Sequence, residues 1–202
     1  ETSSVGRIAW SPDGQSIAFT MRDPETEDEK RRKKEKRDWK IIDTNYRYSH
    51  IYVVELNGND SARRLTKGEF QVGSFDWSPD NKRIVFDHME NPTANAWTTN
   101  DISVVNVRSG SKKSLIDWNG SDRSPKYSPD GKFIAFTSDG GNPTWGREHF
   151  AYVIPAKGGN GRQLPPTPSR YINSITGWVP NGTAVITSES NRTSRRYFNI
   201  PL

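Results

Sequence analysis

The sequence has no cysteine, only two methionines and three histidines, and no long apolar run. The lack of cysteine excludes disulfides, thiolate catalysis and cysteine-based zinc sites. The apolar stretches extend over a few residues only, so none could cross a bilayer as a helix, and we expect no membrane partner. Hydrophobic residues make up 31% of the 202 positions and charged residues 26%, which is typical of a solvated, loop-rich β protein.

Motifs for catalysis and metal binding are also missing. The sequence has no Gly-x-Ser-x-Gly nucleophile elbow, no His-Glu-x-x-His and no EF-hand loop. No serine and carboxylate accompany His50, His88 or His149 in a pattern that predicts a triad. We therefore predict no catalytic residue, no metal and no cofactor, and a chain that is inactive alone.

A pentapeptide, in contrast, occurs four times with small variations. Its copies are Trp-Ser-Pro-Asp-Gly at 10–14, Trp-Ser-Pro-Asp-Asn at 77–81, Tyr-Ser-Pro-Asp-Gly at 127–131 and Trp-Val-Pro-Asn-Gly at 178–182. The last three copies are spaced by 50 and 51 residues, and the first interval of 67 is the same unit with an insertion. The chain is therefore a repeat protein with a unit of about 50 residues.

Each pentapeptide predicts a tight turn. Proline presets φ for the second turn position, an Asx residue follows, and Gly or Asn takes the left-handed conformation that ends the turn. The predicted turn residues are Pro12, Asp13, Gly14, Pro79, Asp80, Asn81, Pro129, Asp130, Gly131, Pro180, Asn181 and Gly182.

Short β-forming runs follow every turn. Second strands are predicted at 17–19, 84–86, 134–136 and 184–186, third strands at 51–54, 102–105, 150–153 and 197–200, and fourth strands at 64–65, 114–115 and 163–164. Four antiparallel strands per unit, repeated radially, make an all-β β-propeller of about four blades, with the Trp or Tyr of each first strand at the blade interface. The blades span 5–66, 72–116, 122–164 and 172–202, the last one incomplete. A β-sandwich is the rival, but a sandwich has no reason to repeat its hinge at constant spacing.

A charged insertion at 22–38 lies in the first unit. Its run of five bases at 30–34 is offset by neighbouring acids, so the insertion is polar rather than basic, and we expect no nucleic-acid partner. Acid-before-base pairs at i, i+4 predict a short exposed helix with Asp23 as N-cap and Pro24 in its first turn. The insertion is either solvated surface or a contact for a partner or neighbouring domain.

Loop lengths point to the face that should carry function. The tight hinges share one face of the blades, whereas long loops at 21–49, 88–100, 138–149 and 189–196 gather on the other. Aromatic, amide and charged side chains in these loops could hold a peptide, and the substrate-contact candidates are Trp97, Asn100, Trp145, Arg147 and Glu148. The competing interpretation is that the aromatics cap blade edges and the charges are solvated.

The repeats together with these loops resemble a known group of proteins. The pentapeptide followed by Ile-Ala-Phe, the segment 51–56 and the segment 62–66 resemble the PD40 or WD40-like propeller repeats of the TolB family and of the prolyl oligopeptidase (S9) serine peptidases. The insertion at 28–48 and the loops at 95–102 and 139–149 look like those of acylaminoacyl-peptidase and dipeptidyl-peptidase relatives.

The resemblance implies a non-catalytic propeller that gates an α/β-hydrolase domain of the same parent protein and helps to position the N-terminus of a peptide substrate. Family propellers usually have seven or eight blades, so it also implies a fragment of a longer enzyme, whose open blade edges could self-associate. Any signal peptide would lie outside this chain, which leaves a cytoplasmic, periplasmic or secreted location open. The alternatives are a TolB-like protein-binding propeller without an enzyme, and a small closed propeller in which residues 2–5 supply a fourth strand to the last unit.

Overall fold

The computed structural model describes residues 4–37, 44–58, 61–143 and 148–202. Half of the chain is β-strand and 7% is helix. The strands form four antiparallel sheets, which we number 1 to 4 in chain order. Among the described residues, no helix is long and apolar enough to span a bilayer.

Each sheet is an up-and-down meander built from one repeat unit. Sheet 1 contains β1 (Val5–Trp10), β2 (Ser16–Arg22), β3 (Ser49–Glu55) and β4 (Arg63–Arg64), and sheet 2 contains β5 (Gln71–Trp77), β6 (Arg83–Met89), β7 (Thr99–Asn106) and β8 (Lys112–Ile116). A two-residue strand, β9 (Gly120–Ser121), pairs in parallel with the start of β7. Sheet 3 contains β10 (Arg123–Tyr127), β11 (Phe133–Ser138), β12 (Phe150–Pro155) and β13 (Arg162–Gln163), and sheet 4 contains β14 (Ser174–Trp178), β15 (Ala184–Asn191) and β16 (Ser194–Pro201).

The hinge between the first two strands of each sheet is held by its own side chains. Gly14 and Asn81 have φ of 69° and 60°. In the first hinge the amide of Gly14 donates to the Ser11 carbonyl at 2.9 Å. The Ser11 hydroxyl donates to Asp13 at 2.6 Å, and this hydrogen bond is the main reason why the pKa of Asp13 is lowered. The serine of the pentapeptide is thus a turn residue too, a role that the repeat pattern alone does not assign.

Three hydrophobic clusters fill the spaces between consecutive sheets. Because side chains alternate along a strand, β6 sends Ile84 and Phe86 toward sheet 1 and Val85 toward sheet 3. In β11, Phe136 likewise packs toward sheet 2, whereas Ala135 packs toward sheet 4. Central sheets are therefore buried on both faces, which explains why their second strands are continuous apolar runs.

Aromatic residues at the ends of the first strands lie at the sheet boundaries. The indole of Trp77 donates to the Ala9 carbonyl of sheet 1 at 3.3 Å, and the indole of Trp178 donates to the Lys126 carbonyl of sheet 3 at 3.1 Å. Trp10, whose sheet has no neighbour on that side, is 59% exposed. Face-to-face sheets with these links are blades, and the predicted β-propeller fold class is confirmed.

The blades form an open arc rather than a closed ring. Within the described residues, β1 begins at Val5 and pairs only with β2, and sheet 4 has three strands. The alternative of a small closed propeller is therefore wrong, and residues 2–3 of the strand that it would donate to the last unit lie outside the described residues.

Two local predictions also need correction. The helix, α1 (Glu27–Lys34), has Thr26 rather than Asp23 as its N-cap, because Thr26 and Glu29 form a reciprocal capping box. The predicted long loop at 189–196 is instead a hairpin, in which β15 and β16 continue to the pair Asn191 and Ser194. Arg192 takes the left-handed conformation with φ of 53°. Because this position is not a glycine, the sequence does not predict a turn here.

Candidate functional site

A bulge near the start of every first strand shapes the long-loop face. The register shifts at the same place in all four sheets. At each bulge, a polar side chain from the same position of the second strand forms a hydrogen bond with the first strand. Thr20 accepts from the Arg7 amide at 3.0 Å, and Asp87 accepts from the Ser74 amide at 3.0 Å. Thr137 donates to the Arg123 carbonyl at 3.1 Å, and the Ser188 hydroxyl lies 3.0 Å from the Ser174 hydroxyl. The bulges thus bring polar groups under the long-loop face.

Asp87 is the charged member of this set and also connects two blades. Its side chain is 4% exposed and accepts from the Ser124 amide of sheet 3 at 2.9 Å. Burial raises its pKa, while hydrogen bonds from Ser74 and Ser124 act in the opposite direction. Gly73 leaves room for the carboxylate, since a Cβ there would lie 2.1 Å from Asp87 Oδ1. Asp87 is consequently a structural link.

Three further carboxyl groups gather where sheets 2 and 3 meet on this face, and we call Asp101, Asp122 and Asp139 the acidic cluster. Asp101 lies near the start of β7, Asp122 lies between β9 and β10, and Asp139 directly follows β11. The parallel pairing of β9 with β7 brings them together, because it lets the Asp122 amide donate to the Asn100 carbonyl at 2.8 Å.

The acidic cluster is an electrostatically costly arrangement. The pKa of Asp122 is raised to about 7, chiefly by burial and also by the charges of Asp139 and Asp101, while the Ser138 hydroxyl acts in the opposite direction. Burial also raises the pKa of Asp101 to about 6, with additional contributions from the charges of Asp117 and Glu90. At neutral pH this part of the face is a concentration of negative charge that a cation would relieve.

A glycine makes the cluster sterically possible. The Ser121 amide donates to Asp139 Oδ2 at 3.2 Å. A Cβ at Gly120 would lie 2.0 Å from Asp139 Oδ1, and Gly120 has φ of 138°, so no other residue fits there without strain. The sequence signal for this site is weak, since the three aspartates come from separate strand ends and only the pairing of β9 connects them.

The substrate-contact candidates lie at different depths on this face. Trp97 is half-buried in a 3₁₀-helix, Ala94–Thr98, and Asn100 lies inside β7 with its side chain only 6% exposed. Glu148 is exposed and forms a two-point ion pair with Arg170, at 3.0 and 3.2 Å. Trp145 and Arg147 lie outside the described residues. Asn100 therefore contributes to this face through its backbone carbonyl, which accepts from the Asp122 amide. Glu148 and Trp97 lie at the surface beside the loops.

One histidine does contact a serine, but not in a way that makes a nucleophile. His88 Nε2 lies 2.8 Å from Ser103 Oγ. Ser103 is 1% exposed, so no substrate reaches it, and burial lowers the pKa of His88 to about 4. Among the residues that the structure describes, no group of three His, Cys, Asp or Glu side chains could hold a metal ion.

The geometry defines the chain as a β-propeller region with an acidic, loop-rich face. No family model and no curated protein matches the chain. Solved structures do: TolB from Acinetobacter baumannii (TM-score 0.63, 18% identity, 98% of this chain and 40% of that one) and a protein described as dipeptidyl aminopeptidase IV from Bacteroides ovatus (0.61, 13%, 95% and 31%). A third is the propeller domain of the Trilobed protease from Pyrococcus furiosus, with a TM-score of 0.59, 14% identity, and coverage of 98% of this chain and 52% of that one.

These likenesses show the fold. The chain spans about a third to a half of the length of these structures. The neighbours include TolB-like and peptidase propellers, which agrees with the resemblance drawn from the repeats, and also oligogalacturonate lyase (TM-score 0.66, 15% identity, 98% of this chain and 51% of that one).

Proposed function

We propose that this chain is the substrate-gating propeller region of an S9-type serine peptidase, and that it positions peptides for an α/β-hydrolase domain of the same parent protein. The observation that carries the proposal is the acidic cluster, which lies on the long-loop face between two blades. The peptidase propellers among the structural neighbours support the choice of parent.

The chemistry of the cluster favours the α-ammonium group of a peptide as its ligand. Asp101 is the partly exposed member of the cluster, and a cation beside it lowers the pKa of that carboxyl from about 6 and stabilises its ionised form. Glu148 and Trp97 lie on the same face and offer a charged and an aromatic contact for the residues that follow. A peptide held in this way presents its next bonds at a fixed distance from the propeller, and a fixed distance favours the substrates whose scissile bond reaches the catalytic groups.

The test is peptide hydrolysis by the full-length protein with Asp101→Asn, on peptides with a free or an acetylated N-terminus. We expect KM for free peptides to rise roughly tenfold, since one charge-assisted contact is lost, and KM for acetylated peptides to stay the same. Glu55→Gln is the matched control, because Glu55 is an exposed carboxylate at the far end of β3. An equal KM change for both peptide types, or none, would sink the assignment of the cluster to an N-terminus.

A TolB-like, non-enzymatic role is the second candidate, and the similarity to TolB favours it. In that case the same face binds a folded protein and the parent encodes no hydrolase. Reading the parent gene separates the two: a downstream Gly-x-Ser-x-Gly elbow supports the peptidase, and its absence supports the binding protein.

A further inference from the structure

A second charged feature lies away from the acidic cluster, at the outer rim between sheets 1 and 2. It is a cleft of about 470 Å³, with one wall formed by residues 63–67 and the other by residues 105–112 of the β7–β8 hairpin. Half of its lining residues are cations and none is an acid; the cations are Arg63, Arg64, Lys67, Arg108 and Lys112. We call this feature the cationic cleft.

Most of the positive charge in the cationic cleft is not neutralised by the protein. Arg64 forms an ion pair with Asp23, at 3.0 Å between Nη1 and Oδ1. Arg63 donates to the Val107 carbonyl, a neutral group, at 2.5 Å. Within the described part of the chain, Lys67 and Arg108 take part in no ion pair, and Lys112 stands over the Phe70 ring with its Nζ 4.5 Å from the centroid.

The cations of the cleft affect the pKa of two histidines that are buried behind it. Burial lowers the pKa of His50 to about 4, and the charge of Arg64 contributes to this shift. The pKa of His88 is also lowered to about 4 by burial, with a contribution from Lys112. Both histidines are therefore neutral at pH 7, and the protein adds no further cation behind those already in the cleft.

The next blade boundary shows that the fold does not require this charge. The strand registers and hairpin hydrogen bonds align the two boundaries residue by residue. The counterparts between sheets 2 and 3 are Lys113 for Arg63, Ser114 for Arg64, Trp118 for Lys67, Lys157 for Arg108 and Gly161 for Lys112.

At that second boundary an aromatic side chain replaces the open space. Trp118 packs 5.5 Å from the Phe136 ring and 5.2 Å from the Tyr152 ring. A Cβ at Gly161 would lie 2.7 Å from Trp118 Cη2, so the indole fills the place that Lys112 borders at the first boundary. The same backbone thus supports a filled, weakly charged boundary, and the open cleft with five cations is a property of the side chains at 63–67 and 105–112.

We propose that the cationic cleft binds a compact multivalent oxyanion, a molecule with two or more phosphate or carboxylate groups. Guanidinium and ammonium donors on facing walls match such groups, since Arg binds oxyanions through paired N–H bonds and Lys as a point charge. The cleft volume suits a small molecule rather than a folded partner. This proposal does not rest on the proposed peptide role, because the cleft is formed by residues 63–67 and 105–112 and shares no residue with the acidic cluster. Lys112 is near enough to lower the pKa of Asp101, so the test below leaves Lys112 unaltered.

Calorimetric titration of the intact protein tests the proposal, with tripolyphosphate as the phosphate probe and citrate as the carboxylate probe at fixed ionic strength. The double variant Lys67→Ala with Arg108→Ala should bind at least about tenfold more weakly, since it removes two unpaired donors. The double variant Lys157→Ala with Arg162→Ala is the matched control, because it removes one Lys and one Arg from exposed positions of sheet 3. Lys157 is the counterpart of Arg108, and Arg162 has the same place in sheet 3 that Arg63 has in sheet 1 and Lys113 in sheet 2.

Binding of either probe that is weakened in the first double variant and unchanged in the control supports the cleft, and the preferred probe identifies the charged group. An equal loss in both double variants would mean general attraction to a basic surface and would overturn the proposal. No binding of either probe to the unaltered protein would overturn it as well. Thermal unfolding of both double variants, measured alongside, shows whether any loss comes from unfolding, and single variants at the same positions replace a double variant that does not fold.

Discussion

At the scale of single residues, buried carboxyl groups define the interior of the long-loop face. Asp87 and Asp122 are both almost inaccessible to solvent, but their surroundings differ. Asp87 receives two backbone amides and joins sheets 2 and 3, whereas Asp122 lies among other acids. The first arrangement stabilises the fold. The second places like charges together, and a cation bound at the partly exposed Asp101 would relieve their repulsion.

Gly73 tests the structural carboxylate. Gly73→Ala should destabilise the protein by about 1–3 kcal/mol, because the new methyl group would meet the Asp87 carboxylate inside a packed strand pair. Gly177→Ala is the matched control at the bulge of sheet 4, where a Cβ would meet nothing within 4 Å. Urea unfolding measures both, and equal effects would contradict the steric explanation.

Asp122 makes stability depend on pH in a defined direction. Its pKa is about 7 in the folded protein against 3.8 for a free carboxyl, so the folded state holds the proton more tightly and stability is lost as pH rises through this interval. Asp122→Asn removes the penalty and should raise the free energy of unfolding by about 2–4 kcal/mol at pH 8 and by almost nothing at pH 4. Unfolding curves at the two pH values check this, and a gain of the same size at both would refute the linkage.

At the scale of elements, the first strand of each sheet carries the contacts that fix its neighbour. Trp77 and Trp178 donate to carbonyls of the preceding sheet, and at the middle boundary the Tyr127 amide donates to Asp76 of sheet 2 at 3.0 Å. The Lys126 ammonium also contacts Asp76 at 2.7 Å. The boundary contacts are therefore directional hydrogen bonds as well as apolar packing.

A pair of tryptophan substitutions measures one of these hydrogen bonds. Trp178→Phe should cost about 1–2 kcal/mol, because it removes the indole donor and leaves the Lys126 carbonyl without that partner. Trp10→Phe, at the equivalent place of sheet 1, should change stability by less than about 0.5 kcal/mol, since Trp10 is 59% exposed. Chemical denaturation compares the two, and a cost at position 10 equal to that at position 178 would show that the indole bond is unimportant.

At the scale of the whole molecule, the outer face of sheet 1 is packed against no other described sheet. Val5, Ile8 and Trp10 are each more than half exposed on sheet 1. In the other sheets the corresponding face is covered by the preceding blade. Exposed apolar area of this kind drives association.

We expect the chain to self-associate through this face at high concentration. Ile8→Lys combined with Trp10→Lys should shift the sedimentation coefficient toward that of a monomer, because two charges would have to be desolvated in any contact. Leu56→Lys serves as the control, since Leu56 is 42% exposed at the end of sheet 1 away from this face. Association that persists in the double variant would place the contact elsewhere.

The sequence predicts the parts of this molecule that local chemistry determines. Pro-Asp-Gly turns and the strands after them follow from residues adjacent in the chain, so the sequence alone is enough to predict the blades. It does not predict the hairpin at Arg192, because the left-handed position of that turn is taken by an arginine rather than by Gly or Asn. The acidic cluster and the cationic cleft cannot be predicted from the sequence for another reason. Each is formed by residues of two different repeats, and these residues are close together only because the blades pack against each other.

The boundary hydrogen bonds have a consequence for the order in which the chain folds. At each of the three boundaries a donor on the later sheet meets an acceptor on the earlier one: Trp77 on Ala9, Tyr127 on Asp76, and Trp178 on Lys126. Hydrogen bonds in the other direction also occur, such as that from Arg63 to the Val107 carbonyl, but each of these bonds joins two consecutive sheets. A sheet leaving the ribosome therefore finds its preceding partner sheet already synthesised. We infer that the arc grows one repeat at a time from its amino end, with each finished blade acting as the template for the next.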